Sequence, residues 1–255
     1  MSRLLSIATK GIIPHLAMGG FKRLARHGKN RPGAKGGYKD GWGIGYFLNG
    51  RAKVTTHIGD AFTSVRWDEL THMTGSNPEV KVLTASLRNR GRRNLDEMDG
   101  ILSPFSLKDA DGREWLLAFD GDVGPHKSTG DHYTHGTELA PFKLLRRILD
   151  LVKETAQPQH EGKRAALALK KAVCEIAENH HYDVLNLTLS DGHDVYLLRY
   201  VEKEEDWNRL FYIKTASAVI GCSEPLQSIE GKWEELPNHS LLIFDIHLGL
   251  QKVDF

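Results

Sequence analysis

The sequence predicts an α+β fold in which two β-sheets stack and helices cover their outer faces. Strand-like runs occupy both ends of the 255-residue chain, and two long amphipathic helical patterns lie between them. No internal repeat and no low-complexity segment interrupts this order. Because each sheet and helix must bury its apolar face against another layer, we expect residues 1–255 to form one layered domain.

The elements follow from local patterns of apolar, turn-forming and helix-capping residues. In chain order they are a buried strand at 3–8, a helix at 15–28, a Gly- and Pro-rich loop at 30–41, a hairpin at 42–59, a short helix at 65–75, a strand at 81–88 running into a basic loop, a strand at 113–124 ending in a Gly-containing turn, helices at 138–156 and 163–179, and strands at 182–192, 193–202, 209–224 and 239–249. Asn49-Gly50 is a strong type I′ turn signal at the centre of the first hairpin. The stretch SDGHD predicts a second hairpin turn.

Overall charge excludes some classes of protein. The formal net charge is +1, so the whole chain carries no strong nucleic-acid signal. Two basic segments, at 22–39 and 88–93, are either solvated loops or a positive rim that attracts an anionic substrate or an acidic partner.

The two cysteines, Cys174 and Cys222, have neither metal-ligand spacing nor the number that a disulfide framework needs. No window approaches the ~20 apolar residues of a membrane span, and no sustained apolar run forms a signal peptide. The sequence therefore predicts no membrane association and a reducing, cytoplasmic location.

The start of the chain, MSRLLSIA, raises a chemical possibility. Removal of Met before a small residue would leave Ser2 with a free α-amino group, whose ordinary pKa of about 7.7–8 suits a general base at neutral pH. A hydroxyl nucleophile and its base would then belong to one residue. The alternative is an inert terminus.

Histidines at 126, 132 and 135 include a His-x-x-His pair that resembles a zinc-ligand spacing. The segment is loop-like and offers no fourth ligand, so we predict no metal site. The sequence contains no Walker loop, dinucleotide fingerprint or GxSxG elbow. We therefore expect no cofactor.

Four fragments in order carry a family resemblance: MSRLLSIA, RHGKNRPGAKGGYKDGWGIGYF, LNLTLSDGHDVYLLRY, and SEPL followed by WEELPNHSLLIFD. Together they resemble the class II glutamine amidotransferases, specifically the small group without an attached synthase domain. The resemblance covers nearly the whole chain. It implies a four-layer αββα sandwich of two mostly antiparallel sheets flanked by helices, as in the N-terminal-nucleophile hydrolases.

The resemblance also implies a mechanism. In that family a cysteine exposed by Met removal attacks the side-chain amide of glutamine and releases ammonia, with its own α-amino group as the base. An arginine holds the substrate α-carboxylate, and an Asn-Gly pair forms the oxyanion hole. By position, Arg88 matches that arginine and Gly121 matches that glycine. The DGWG turn matches too, which brings in Gly43, and Trp42 as either a pocket wall or a core aromatic.

Several positions depart from the family pattern. Ser2 stands in place of the cysteine, Ser86 in place of a histidine two residues before the arginine, and Asp120 in place of the oxyanion-hole asparagine. The segment 101–105 reads ILSPF where the family has Asn-x-His-Pro-Phe. An ionised Asp120 accepts hydrogen bonds and repels an oxyanion, whereas a protonated one could donate.

Two hypotheses follow. In the first, Ser2 is the nucleophile of an amide hydrolase for glutamine or a related small amide, with Asp120 and Gly121 beside the oxyanion, Arg88 as the carboxylate ligand and a separate synthase as acceptor of the ammonia. In the second, the chain is a catalytically silent relative that binds a ligand or docks through its basic segments in a larger assembly.

Overall fold

The computed structural model describes residues 1–34, 37–89, 102–133, 140–154 and 161–255. Within them, the strands are β1 Ser2–Thr9, β2 Gly41–Leu48, β3 Arg51–Ile58, β4 Val82–Arg88, β5 Phe105–Lys108, β6 Glu114–His126, β7 His180–Ser190, β8 Asp194–Arg199, β9 Leu210–Lys214, β10 Ala218–Cys222, β11 Glu234–Leu236, β12 Ser240–Asp245 and β13 Leu250–Asp254. The α-helices are α1 His15–His27, α2 Val65–Ser76, α3 Ala140–Glu154 and α4 Glu161–Asn179.

The strands form two antiparallel sheets. The seven-stranded sheet has the order β11-β9-β10-β1-β4-β2-β3, and the six-stranded sheet has the order β13-β12-β8-β7-β6-β5. One apolar cluster joins α1 and α2 to the first sheet, a second joins α3 and α4 to the other sheet, and a third lies between the sheets. The four-layer αββα fold that the resemblance implied is therefore confirmed.

Strand β1 lies near the middle of the seven-stranded sheet, between β10 and β4. Its side chains alternate between the two faces, as the period of a strand requires. Leu5 and Ile7 face α1 and α2, whereas Ala8 packs in the cluster between the sheets. By the same alternation Ser2 faces the second sheet, so the first strand carries its serine into the interior of the sandwich.

The first hairpin is confirmed. Asn49 and Gly50 both have positive φ angles, 52° and 69°, as a type I′ turn requires. The second hairpin, between β7 and β8, turns through Gly192 at φ 93°.

Two expectations about strands were wrong, and three strands were not predicted. The run 209–224 is not one strand, because it turns at Thr215, whose backbone N–H and hydroxyl both bond to the Ala218 carbonyl. The strand at 113–124 does not end in a turn, since β6 passes through Gly121 and reaches His126 with register shifts on the way. The patterns also missed the strands β5, β11 and β13. The basic loop expected at 88–93 lies mostly outside the described residues, which stop at residue 89 and resume at 102.

None of the helices in the described part of the chain combines the length and the apolar composition that crossing a bilayer requires.

Candidate functional site

The candidate site forms where the start of β1 meets the second sheet. Ser2 is 1 % exposed and lies opposite Arg88 in the β1–β4 register. Asp120, 3 % exposed, comes from β6 in the other sheet. Three of the sequence-predicted residues are thus brought together from strands that are far apart in the sequence.

The contacts between these residues are polar and short. The Ser2 backbone N–H donates to Asp120 Oδ1 at 2.5 Å, and Arg88 Nη1 donates to Ser2 Oγ at 3.1 Å. A carboxylate therefore holds the nitrogen of Ser2, and a guanidinium holds its oxygen. The charge-assisted bond from Arg88 favours the present rotamer of the Ser2 hydroxyl, and the bond to Asp120 ties the start of β1 to β6.

Met1 extends the ladder between β1 and β4. Its α-ammonium donates to the Asn89 carbonyl at 3.0 Å, and the Asn89 N–H donates to the Met1 carbonyl at 2.9 Å. Burial lowers the pKa of this amine below its ordinary value, Asp120 opposes the shift, and Arg88 adds to it. Asn89 was not predicted as a site residue, and only the strand register could have indicated it.

Ser86 and Gly43 are neighbours in the β4–β2 register. Ser86 Oγ donates to the Ser103 carbonyl, and a Cβ on Gly43 would collide with that same carbonyl oxygen. The structure thus places both residues against the segment that enters β5, with the Ser86 hydroxyl engaged by that segment.

Trp42 lies on the other face of β2. It is fully buried in the cluster beneath α1 and α2, where its ring meets Trp67 edge-on with centroids 5.3 Å apart. The structure does not bring Trp42 together with Ser2. Of the two readings that the sequence left open, its position matches a core aromatic.

Gly121 follows Asp120 at an irregular step of the β6–β7 ladder. A Cβ there would collide with the Val184 carbonyl oxygen and press on the Phe119 ring. Only a glycine lets the two strands approach this closely. Gly121 thereby sets the path of β6 beside the candidate site.

We expect Gly121→Ala to lower the free energy of unfolding by about 1–3 kcal/mol, because the added methyl must push a backbone carbonyl aside. Gly19→Ala is the matched control, since nothing lies within 4 Å of that Cβ position in α1. We expect it to raise stability by up to about 1 kcal/mol through helix propensity. Urea denaturation of both variants measures the difference, and equal stabilities would show that the ladder at Gly121 yields to a methyl.

A buried network behind the site was missed by the sequence analysis. Arg3, 1 % exposed, pairs with Glu224 at 3.0 Å and donates to the carbonyls of Lys29 and Trp207. Tyr38 also donates to the Lys29 carbonyl, and Glu224 accepts from the Lys29 N–H. The available signal was an arginine inside an apolar strand, because a buried charge needs partners.

The described part of the histidine-rich segment, up to residue 133, makes local contacts. His126 Nδ1 lies 3.0 Å from Ser128 Oγ, and its ring meets that of His180 edge-on. Among the residues that the structure describes, no three His, Cys, Asp or Glu side chains are placed to share an ion. His135 lies outside those residues.

In the described part of the basic segment 22–39, three of the side chains carry acidic partners. Lys22 pairs with Asp68, Arg26 with Asp60, and Arg31 with Asp183. Arg90, Arg92 and Arg93 of the second basic segment lie outside the described residues.

In this αββα fold, the start of the first strand carries Ser2 into the gap between the two sheets. Residues 1–218 match the family of class II glutamine amidotransferases, and the chain belongs to that family. No curated protein matches it by sequence comparison.

Solved structures share the fold. Glutamine phosphoribosylpyrophosphate amidotransferase from B. subtilis superposes with a TM-score of 0.65 at 12% identity, over 99% of this chain and 49% of that enzyme. A glutamine aminotransferase class-II domain protein from Silicibacter pomeroyi gives 0.58 at 14% identity over 99% of both chains. A predicted glutamine amidotransferase from Pseudomonas aeruginosa gives 0.54 at 14% identity over 96% of this chain and 93% of that one. The chain spans about half the length of the B. subtilis enzyme.

Proposed function

We propose that this protein hydrolyses the amide of glutamine or a related small amide, with Ser2 as the nucleophile once the Met1–Ser2 bond is cleaved. The observation that carries the proposal is the convergence of Ser2, Arg88 and Asp120 at the start of β1. Cleavage would convert the Ser2 nitrogen into an amine within reach of its own hydroxyl.

Arg88 has two possible tasks in this proposal. Its guanidinium is 3.1 Å from Ser2 Oγ, where a positive charge favours the developing alkoxide. A guanidinium can also hold a carboxylate with two hydrogen bonds. On substrate binding we therefore expect Arg88 to exchange part of its contact with Ser2 for the substrate carboxylate.

A second candidate function is ligand binding without turnover, and the contact of Asp120 with the Ser2 nitrogen favours it. A carboxylate 2.5 Å from that nitrogen would favour the ammonium form of the freed amine, which cannot accept a proton. The family's asparagine would donate to an oxyanion, whereas a carboxylate accepts. In this version the protein keeps the pocket as a sensor or as a subunit of an assembly.

The proposal extends to the domain, its location and its partners. Residues 1–255 would act as one domain in the cytoplasm. In the first version, any released ammonia would pass to a separate synthase. In the second, the basic segments 22–39 and 88–93 would dock on an acidic partner.

Ser2→Ala separates the two candidates. We expect it to slow the release of ammonia and glutamate from glutamine at least about 10³-fold, because the nucleophile is removed. The chain would carry only a C-terminal tag, and mass spectrometry would establish that Met1 is absent. If the unmodified chain binds glutamine and releases nothing, the silent version replaces the enzyme.

A further inference from the structure

The Met1 side chain covers a small apolar cluster next to the start of β1. Met1 packs against Val184, Val201 and Trp207, which are 3 %, 0 % and 5 % exposed, and also against the cluster beneath α1 and α2. We call these three residues the apolar subsite. They come from β7, from the residues after β8 and from the loop before β9, so three separate segments build it.

Backbone contacts tie the residues of the apolar subsite to neighbouring segments. Val184 and Val201 pair in an isolated β-bridge, and Asn238 holds both the N–H and the carbonyl of Val201. The Trp207 carbonyl is fixed by Arg3. None of these contacts involves Met1, so the walls are held in place without it.

A cation lies over the tryptophan. The Arg31 guanidinium is 5.4 Å from the centre of the Trp207 ring, and Arg31 also pairs with Asp183 at 2.7 Å. Such a stacked cation favours a fixed ring orientation. The subsite therefore has two aliphatic walls and one aromatic wall, with a charge on its outer side.

We propose that the substrate of the Ser2 site is a γ-glutamyl amide whose nitrogen bears an unbranched apolar group of methionine's length, bound in the apolar subsite. This inference rests on the proposed function, because cleavage of the Met1–Ser2 bond is what empties the subsite. A glutamyl group carries only polar substituents on its acyl side. The apolar group therefore belongs on the amide nitrogen, which glutamine itself leaves bare.

Glutamine and an N-alkyl glutamine would cover the apolar subsite to different extents. Glutamine alone would leave the walls of Val184, Val201 and Trp207 against water, whereas an alkyl group would bury them again as Met1 does. Each buried methylene is worth roughly fourfold in affinity. Allowing for imperfect fit, an N-butyl group should strengthen binding at least about tenfold.

The test titrates the Ser2→Ala chain, freed of Met1, with L-glutamine and with γ-L-glutamyl-n-butylamide, two ligands that differ only in the butyl group. Ser2→Ala prevents turnover during calorimetry. We expect the butylamide to bind at least about tenfold more tightly. The control is the same chain with Met1 retained, produced in cells whose methionine aminopeptidase is inhibited. It should show no such preference, because the Met1 side chain covers the subsite.

A matched wall variant adds a second control. Val201→Thr nearly keeps the volume of the side chain and replaces one methyl group by a hydroxyl, so it should reduce the butyl preference several-fold while circular dichroism shows a folded chain. Equal affinities, tighter binding of glutamine, or no binding of either ligand to the Met1-free chain would overturn the inference.

Product release by the unmodified chain is measured separately. A butyl preference in binding with no release of n-butylamine or ammonia would retain the subsite and refute the proposed hydrolysis. Release of ammonia from glutamine without a butyl preference would retain the hydrolysis and refute the subsite.

Discussion

The Asp120→Asn variant should release glutamate from an amide substrate about 10²–10³-fold faster than the unmodified chain, once both are freed of Met1. The carboxylate bonds to the Ser2 nitrogen at 2.5 Å, and the family resemblance implies an asparagine at this position. An amide at this position donates a hydrogen bond to the oxyanion, and one such donor is worth about 10²–10³ in rate. The substitution also removes the negative charge that favours protonation of the amine.

Ser2→Cys is the second half of this prediction. A thiol ionises far more readily than a hydroxyl, so the demand on the base falls. We expect Ser2→Cys with Asp120→Asn to exceed either single variant, and the double-mutant cycle to show coupling because the two residues are in contact. Glutamate is measured because glutamine and its N-alkyl amides both yield it.

Asp120→Ala is the matched control, since it removes the carboxylate and supplies no donor. It should show the increase in rate that comes from a less readily protonated amine. It should lack the increase that comes from a hydrogen bond to the oxyanion. If Asp120→Asn is no faster than the unmodified chain, the carboxylate is not what limits this site. Loss of activity in Asp120→Asn would make Asp120 a working catalytic residue.

Much of the fold could be predicted from the sequence because its signals are local. Asn49-Gly50 allows only a tight hairpin, and the apolar periodicity of α3 and α4 places them on a sheet. The wrong strand boundaries have two physical causes. The turn at Thr215 is local, between its N–H and hydroxyl and the Ala218 carbonyl, and apolar strand-forming residues on both sides of it hide the signal. The irregular step at Gly121 depends on pairing with β7, which a single sequence does not display.

The candidate site could be predicted only in part, because its contacts also join strands that are far apart in the sequence. The family resemblance indicated Ser2, Arg88 and Asp120, and the structure brings them together. It could not indicate that Asp120 bonds to the nitrogen of Ser2, because this contact joins two sheets across 118 positions. The Trp42 side chain lies on the face of β2 that is turned away from Ser2. Because its neighbours in the strand are glycines, the sequence shows no apolar alternation that would indicate this face.

Arg3→Met should lower the free energy of unfolding by about 3–5 kcal/mol, the largest stability effect we expect in this chain. Arg3 is fully buried between Glu224 and the Tyr38 ring, and its side chain bonds to two backbone carbonyls. Methionine fills much of the volume but takes the guanidinium away from Glu224, whose side chain is only 12% exposed and is left with the Lys29 N–H as a donor. Removing one member of a buried ion pair costs about this much.

Arg31→Met is the matched control, with the same substitution at an exposed ion pair. The Arg31 and Asp183 side chains are 55% and 39% exposed, so the pair should contribute less than about 1 kcal/mol. Urea unfolding compares the two variants, and similar losses would show that burial does not set the cost at Arg3.

Because Arg3 also fixes the carbonyl of Trp207, its loss should loosen the apolar subsite. Arg3→Met at a temperature where it is still folded should therefore lose part of the N-butyl preference, whereas Arg3→Lys, which keeps the charge but not the fork of donors, should fall between it and the unmodified chain.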